Sequence, residues 1–146
     1  MNEDKFRGKT TDGRWVEGFP IKNGFGKLTF MCFAISDLFS CPMEKIQNFC
    51  IEVIPETVKK YTRINGKGNK EIYDGDIIRL RERTVNGTEL THICRVYQKG
   101  NGMWMTEGHP EHDRKYRTRL PLFPYRHEVE VIGNAYDNPE LLEVCL

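Results

Sequence analysis

Turn signals punctuate this chain at short intervals. Asp12-Gly13, Asn23-Gly24, Asn65-Gly66, Asn86-Gly87 and Gly100-Asn101-Gly102 each stand between runs rich in β-formers. Asp-Gly and Asn-Gly supply the positive φ values that a tight hairpin needs. Strand, tight turn, strand, repeated at this spacing, points to a small antiparallel barrel or sandwich and away from a βαβ fold.

Read along the chain, residues 5–21 predict a hairpin closed by Asp12-Gly13. Residues 27–35, rich in Leu, Phe and Met, predict a buried strand, and 49–54 a second one ending at Pro55. Residues 36–48 read as a loop or a short helix broken at Pro42. Pro55 preorganises one helical turn over 55–61. Strands follow at 77–83, 90–98, 103–106 and 128–135. Residues 109–119 read as a polar loop, and 121–125 are too proline-rich for a central strand. Asp137-Asn138-Pro139-Glu140 is a helix-start pattern, so a short C-terminal helix is expected.

The 146 residues carry 22 Lys+Arg against 21 Asp+Glu. A net charge of +1 argues against a binder driven by overall charge, though a local basic face remains open. No apolar run approaches membrane-spanning length, and the acidic, polar start has no signal-peptide core. A cytoplasmic protein is the expectation. The five cysteines, Cys32, Cys41, Cys50, Cys94 and Cys145, are odd in number and fit reduced thiols better than a disulfide framework. The spacing of nine that separates the first three is not a zinc spacing, and Cys32 and Cys50 read as small buried strand residues.

Motifs for catalysis are weak. Gly8-Lys9-Thr10 lacks the upstream glycine of a P-loop, because position 3 is Glu. Ser36 and Ser40, the two serines, sit in no nucleophile elbow. His92 and Cys94 share a strand face but lack an orienting third group. His92, His109 and His112 would form a metal site only if the polar loop folded back onto the strand. No catalytic residue, cofactor or metal is expected. Trp15, Trp104, Phe30 and Phe33 are most simply core residues.

Basic residues carry more information. Arg79, Arg81 and Arg83 alternate, so on a regular strand they share one face. Arg114, Lys115, Arg117 and Arg119 cluster later, with Tyr116 among them. Such a face and loop could contact phosphates and stack a base. Two other roles remain open: a solvated face held by weak ion pairs, and an oligomer interface, where Arg is favoured.

Three segments together resemble the YopX family of phage and prophage proteins. They are Phe6-Arg7-Gly8-Lys9-Thr10-x-Asp12-Gly13-x-Trp15-Val16-x-Gly18; Ile54-Pro55-Glu56-Thr57-Val58-x-x-Tyr61-Thr62, continuing to Asn69-Lys70-x-Ile72-Tyr73-x-Gly75-Asp76-Ile77-Ile78; and Glu130-Val131-Ile132-Gly133-Asn134-x-Tyr136-x-Asn138-Pro139-Glu140-Leu141-Leu142. The resemblance runs in order from near residue 5 to near residue 142 and is weak across 23–48 and 84–127. The family commonly has Gly after the Tyr-Thr pair, where this chain has Arg63. The resemblance implies a β-rich fold whose C-terminal part is like an SH3-type barrel, and it transfers no catalytic residue.

The expectation is therefore an all-β protein. An N-terminal hairpin subdomain (1–62) precedes a C-terminal SH3-like barrel (63–146) closed by a short helix. Its role is that of a non-catalytic phage accessory protein, homo-oligomeric, with an unidentified phage or host protein as partner and no membrane association. The alternative is a nucleic-acid-binding module using the basic strand face and loop.

Overall fold

A computed structural model of the chain describes residues 5–22, 29–32 and 50–142. It is mainly β, built on two antiparallel sheets, and divides into two compact units, Met1–Tyr61 and Thr62–Leu146.

In the first unit, β1 (Phe6–Lys9) and β2 (Trp15–Lys22) form the expected hairpin, with Phe6 opposite Gly18 and Lys9 opposite Trp15. Gly13 sits at φ 93° in the turn. There Thr10 donates its hydroxyl to Asp12, and the Arg14 N–H bonds back to Thr10 Oγ1 at 2.9 Å. These bonds and the Arg14 guanidinium hold the exposed Asp12 carboxyl below its ordinary range. β3 (Thr29–Cys32) pairs with β2, and β4 (Cys50–Val53) pairs with β3. A 3-10 turn at Pro55–Thr57 follows, with proline at its start as expected. The chain is already extended again at β5 (Lys59–Asn65), whose first residues pair with β1. The Thr57 hydroxyl closes this corner, donating to Ile54 O at 2.6 Å and accepting from the Lys9 N–H at 2.8 Å. Cys50 is buried, as read from sequence. Trp15 is only half-buried, with the Arg7 guanidinium 4.9 Å from its ring centre. The predicted turn at 23–24, segment 36–48, Phe33, Cys41 and Cys145 lie outside the described residues, as does the Phe30 side chain.

In the second unit, β6 (Glu71–Tyr73) neighbours β5. The five-stranded sheet runs in the order β10-β9-β8-β7-β11. Its strands are β7 (Asp76–Arg83), β8 (Glu89–Gln98), β9 (Trp104–Pro110), β10 (Thr118–Pro121) and β11 (Val129–Asn134). Alternation does the sorting. Ile78 and Leu80 of β7, Cys94 and Val96 of β8, and Val129 of β11 fall on one face with Ile64, Ile72 and Leu122 and form a buried core. Trp104 packs on it, half-buried. Asp76 is fully buried and accepts the Tyr73 N–H at 2.8 Å, which tightens the corner between β6 and β7. The register of β11 on β7 shifts between Val131 and Gly133, a bulge at Ile132 just before the Gly133-Asn134 pair.

Some expectations need correction. The polar loop expected at 109–119 is shorter, because β9 extends to Pro110 and β10 begins at Thr118. Two prolines hid both ends. Proline suits an edge strand or a strand terminus, and Pro121 ends the edge strand β10. The short C-terminal helix is present at Pro139–Leu142, as a four-residue 3-10 helix. Among the described residues the sheet of the second unit is open, and no closed barrel forms.

Candidate functional site

Arg79, Arg81 and Arg83 do share one face of β7, with Arg81 and Arg83 exposed. Cross-strand register decides what that face is. Arg83 stands opposite Glu89 and meets it at 3.2 Å; Arg119 stands opposite Glu107 and meets it at 3.4 Å. Arg79 lies 3.4 Å from Glu111 and 4.0 Å from Glu130, and Arg117 3.6 Å from Glu107. The face is thus a lattice of exposed ion pairs of alternating sign, each worth about 0–1 kcal/mol. Arg81 stands opposite Thr91 and has no ion pair among the described residues.

The later basic cluster is spread out. Arg114, Lys115 and Tyr116 sit exposed in the β9–β10 connection, Tyr116 at 69%. The Lys115 N–H bonds Asp113 Oδ1 at 3.1 Å, so Asp113 organises its own loop. Arg117 and Arg119 border a cavity of about 410 Å³ together with Tyr116. Arg81 and Arg83 border a different cleft, of about 400 Å³, with Tyr125 and His127. Four of the predicted basic residues are therefore divided between two concavities of the second unit, and Arg79, Arg114 and Lys115 line neither.

The first cavity has a floor that sequence reading missed. Where the apolar face of the sheet runs out, Glu82, His92 and Thr118 join in a chain. His92 is 5% exposed; its Nε2 lies 2.9 Å from Glu82 Oε2 and its Nδ1 2.7 Å from Thr118 Oγ1. A carboxylate only accepts, so Nε2 carries the hydrogen, and in the neutral ring Nδ1 accepts from the Thr118 hydroxyl. The chain has the connectivity of nucleophile, base and acid. Thr118, however, is 6% exposed, too enclosed for an acyl carbon to approach its hydroxyl. The available signal was weak: a polar residue in phase with a strand's apolar face, as Glu82 is with Ile78 and Leu80.

The histidines do not converge. His92 stands opposite Pro110 and Ile93 opposite His109, so His92 and His109 project from opposite faces. His109 donates Nδ1–H to the Pro110 carbonyl at 2.8 Å. Among the described residues no group of metal-ligating side chains assembles. Cys94 is fully buried beside His92's strand face, and burial pushes its thiol up to about 12.

Among the described residues no helix is long and apolar enough to cross a membrane. The model of the family described as YopX protein matches residues 22–143, most of the chain. No curated protein matches it significantly.

Proposed function

We propose that this protein, which belongs to the YopX family, is a non-catalytic accessory protein of a phage or prophage. It works in the bacterial cytoplasm through interaction surfaces and assembles with copies of itself, a phage or host protein being its further partner. The observation that carries this reading is aromatic rings left exposed on the second unit: Phe123 is 57% and Tyr136 47% exposed. The Arg126 guanidinium lies 4.0 Å from the Phe123 ring centre. Exposed aromatics beside arginine are what interfaces are enriched in. Both edges of the five-stranded sheet, β10 and β11, offer backbone for pairing between copies. The meander β7 to β10, followed by a 3-10 turn and a fifth strand returning to β7, supports an SH3-like layout for this unit.

A second reading, a nucleic-acid-binding module, is favoured by Arg81, which has no ion pair among the described residues and lies beside Arg83, Tyr125 and His127 in one cleft. The two readings separate by mutation. Phe123→Glu is expected to lower the assembled mass and leave any nucleic acid bound. Arg81→Glu is expected to leave the mass unchanged. If Arg81→Glu instead strips co-purifying nucleic acid, and that binding weakens steeply with salt, the second reading replaces the first.

A further inference from the structure

The cavity above Glu82 is built for a ligand that presents paired hydrogen-bond donors. Its floor is the Glu82 carboxylate, whose side chain is 27% exposed and whose Oε2 is anchored by His92 at 2.9 Å. The second oxygen, Oε1, has no partner among the described residues. His92 is itself fixed from behind by Thr118 at 2.7 Å. Buried polar chains of this kind hold a group in one geometry. Leu90, Pro110 and Leu120 line the cavity with apolar surface, and Tyr116 and Arg117 stand at its exposed side. The volume of about 410 Å³ lies in the range of small-molecule sites.

We propose that this cavity receives the guanine base of a nucleotide. A carboxylate is acceptor-only and wants two donors side by side. Guanine offers them, N1–H and the N2 amino group on one edge. Adenine and cytosine each place a ring acceptor next to their amino group, and that lone pair would face the carboxylate. Uracil flanks its single N–H with two carbonyl oxygens. The apolar lining accommodates the ring, the exposed Tyr116 ring can stack on it, and the Arg117 guanidinium, held among the described residues by an exposed ion pair at 3.6 Å, can turn to the phosphate. This goes beyond the self-assembly reading and does not depend on it. It also differs from the cleft at Arg81, because recognition here is by a base edge.

The test is calorimetric titration of the full chain with guanosine, adenosine, cytidine and uridine monophosphates, and with inorganic phosphate alone. The expected result is saturable binding of the guanine nucleotide, tighter than the others by about 10-fold or more. Glu82→Gln presents one acceptor and one donor, which matches adenine. It is expected to lose guanine preference and gain adenine, a change that misfolding cannot imitate. Tyr116→Ala, at an exposed position, is expected to weaken binding about 5-fold or more by loss of stacking. A short single strand containing one guanine identifies the source: tighter binding than the free nucleotide, with the same dependence on Glu82, assigns a strand, and equal or weaker binding assigns the free nucleotide. Equal affinity for all four nucleotides, competition by phosphate alone, or no binding of nucleotide or strand overturns the proposal.

Discussion

Gly108 stands directly opposite Cys94 on the neighbouring strand, and a Cβ placed on it would lie 2.7 Å from the Cys94 Cα and closer still to the Ile93 carbonyl oxygen. Both obstacles are backbone in the middle of a ladder, so neither can rotate away. Gly108→Ala must therefore part β8 from β9 at the core. We expect a loss of at least about 3 kcal/mol, the upper end for overpacking, read as a lower urea midpoint.

Cys94 also sets a pH dependence. Burial, the largest cause, together with the nearby Glu107 charge, raises its thiol from an ordinary 9.0 to about 12, against a lowering hydrogen bond from Thr106. The folded value lies above the unfolded one. The contribution to stability is therefore full below pH 9 and is lost as pH rises from 9 towards 12. Thermal midpoints of the wild type should fall more steeply over this window than those of Cys94→Ala. Iodoacetamide should leave Cys94 untouched in the native protein at pH 8 and modify it in denaturant.

Thr118→Val keeps the shape of the side chain and removes the hydroxyl that satisfies His92 Nδ1. The ring is then left with an unpaired buried nitrogen, at a cost of about 1–3 kcal/mol. By contrast Arg83→Ala, which breaks an exposed pair with Glu89, should cost under about 1 kcal/mol. Equal effects from the two would contradict the distinction between the buried chain and the ion-pair lattice. Chemical denaturation of both variants measures it.

Arg63 sits at φ 64°, the left-handed backbone that an L side chain adopts at a cost of about 1–2 kcal/mol. This is the position where the family commonly has Gly. Arg63→Gly removes that cost and adds unfolded-chain entropy worth about 0.4–1 kcal/mol in the opposite sense. A net gain of roughly 0.5–1 kcal/mol is expected, seen as a rise in Tm.

How much of this was legible in the sequence varies by element, for physical reasons. Strands β7, β8 and β11 announced themselves because apolar residues alternate between turn signals. The hairpin at Asp12-Gly13 did so through its turn chemistry. β10 was missed because four residues ending in proline carry too little pattern to separate from a loop. The C-terminal Asn138-Pro139-Glu140 pattern starts a 3-10 turn, which uses the same start signals as an α-helix. The shared face of Arg79, Arg81 and Arg83 follows from alternation alone. Their Glu partners depend on register, which pairs Arg83 with Glu89 and Arg119 with Glu107. Glu82, His92 and Thr118 come from three strands, so nothing local in the sequence linked them.

The central claim is self-assembly through exposed aromatics of the second unit, Phe123 first among them, and light scattering on a sizing column tests it most directly. Absorbance at 260 and 280 nm is recorded on protein purified without a high-salt wash. The account predicts a nucleic-acid-free peak at a multiple of 17.1 kDa, reduced by Phe123→Glu. A peak at 17.1 kDa at every loading concentration would contradict it.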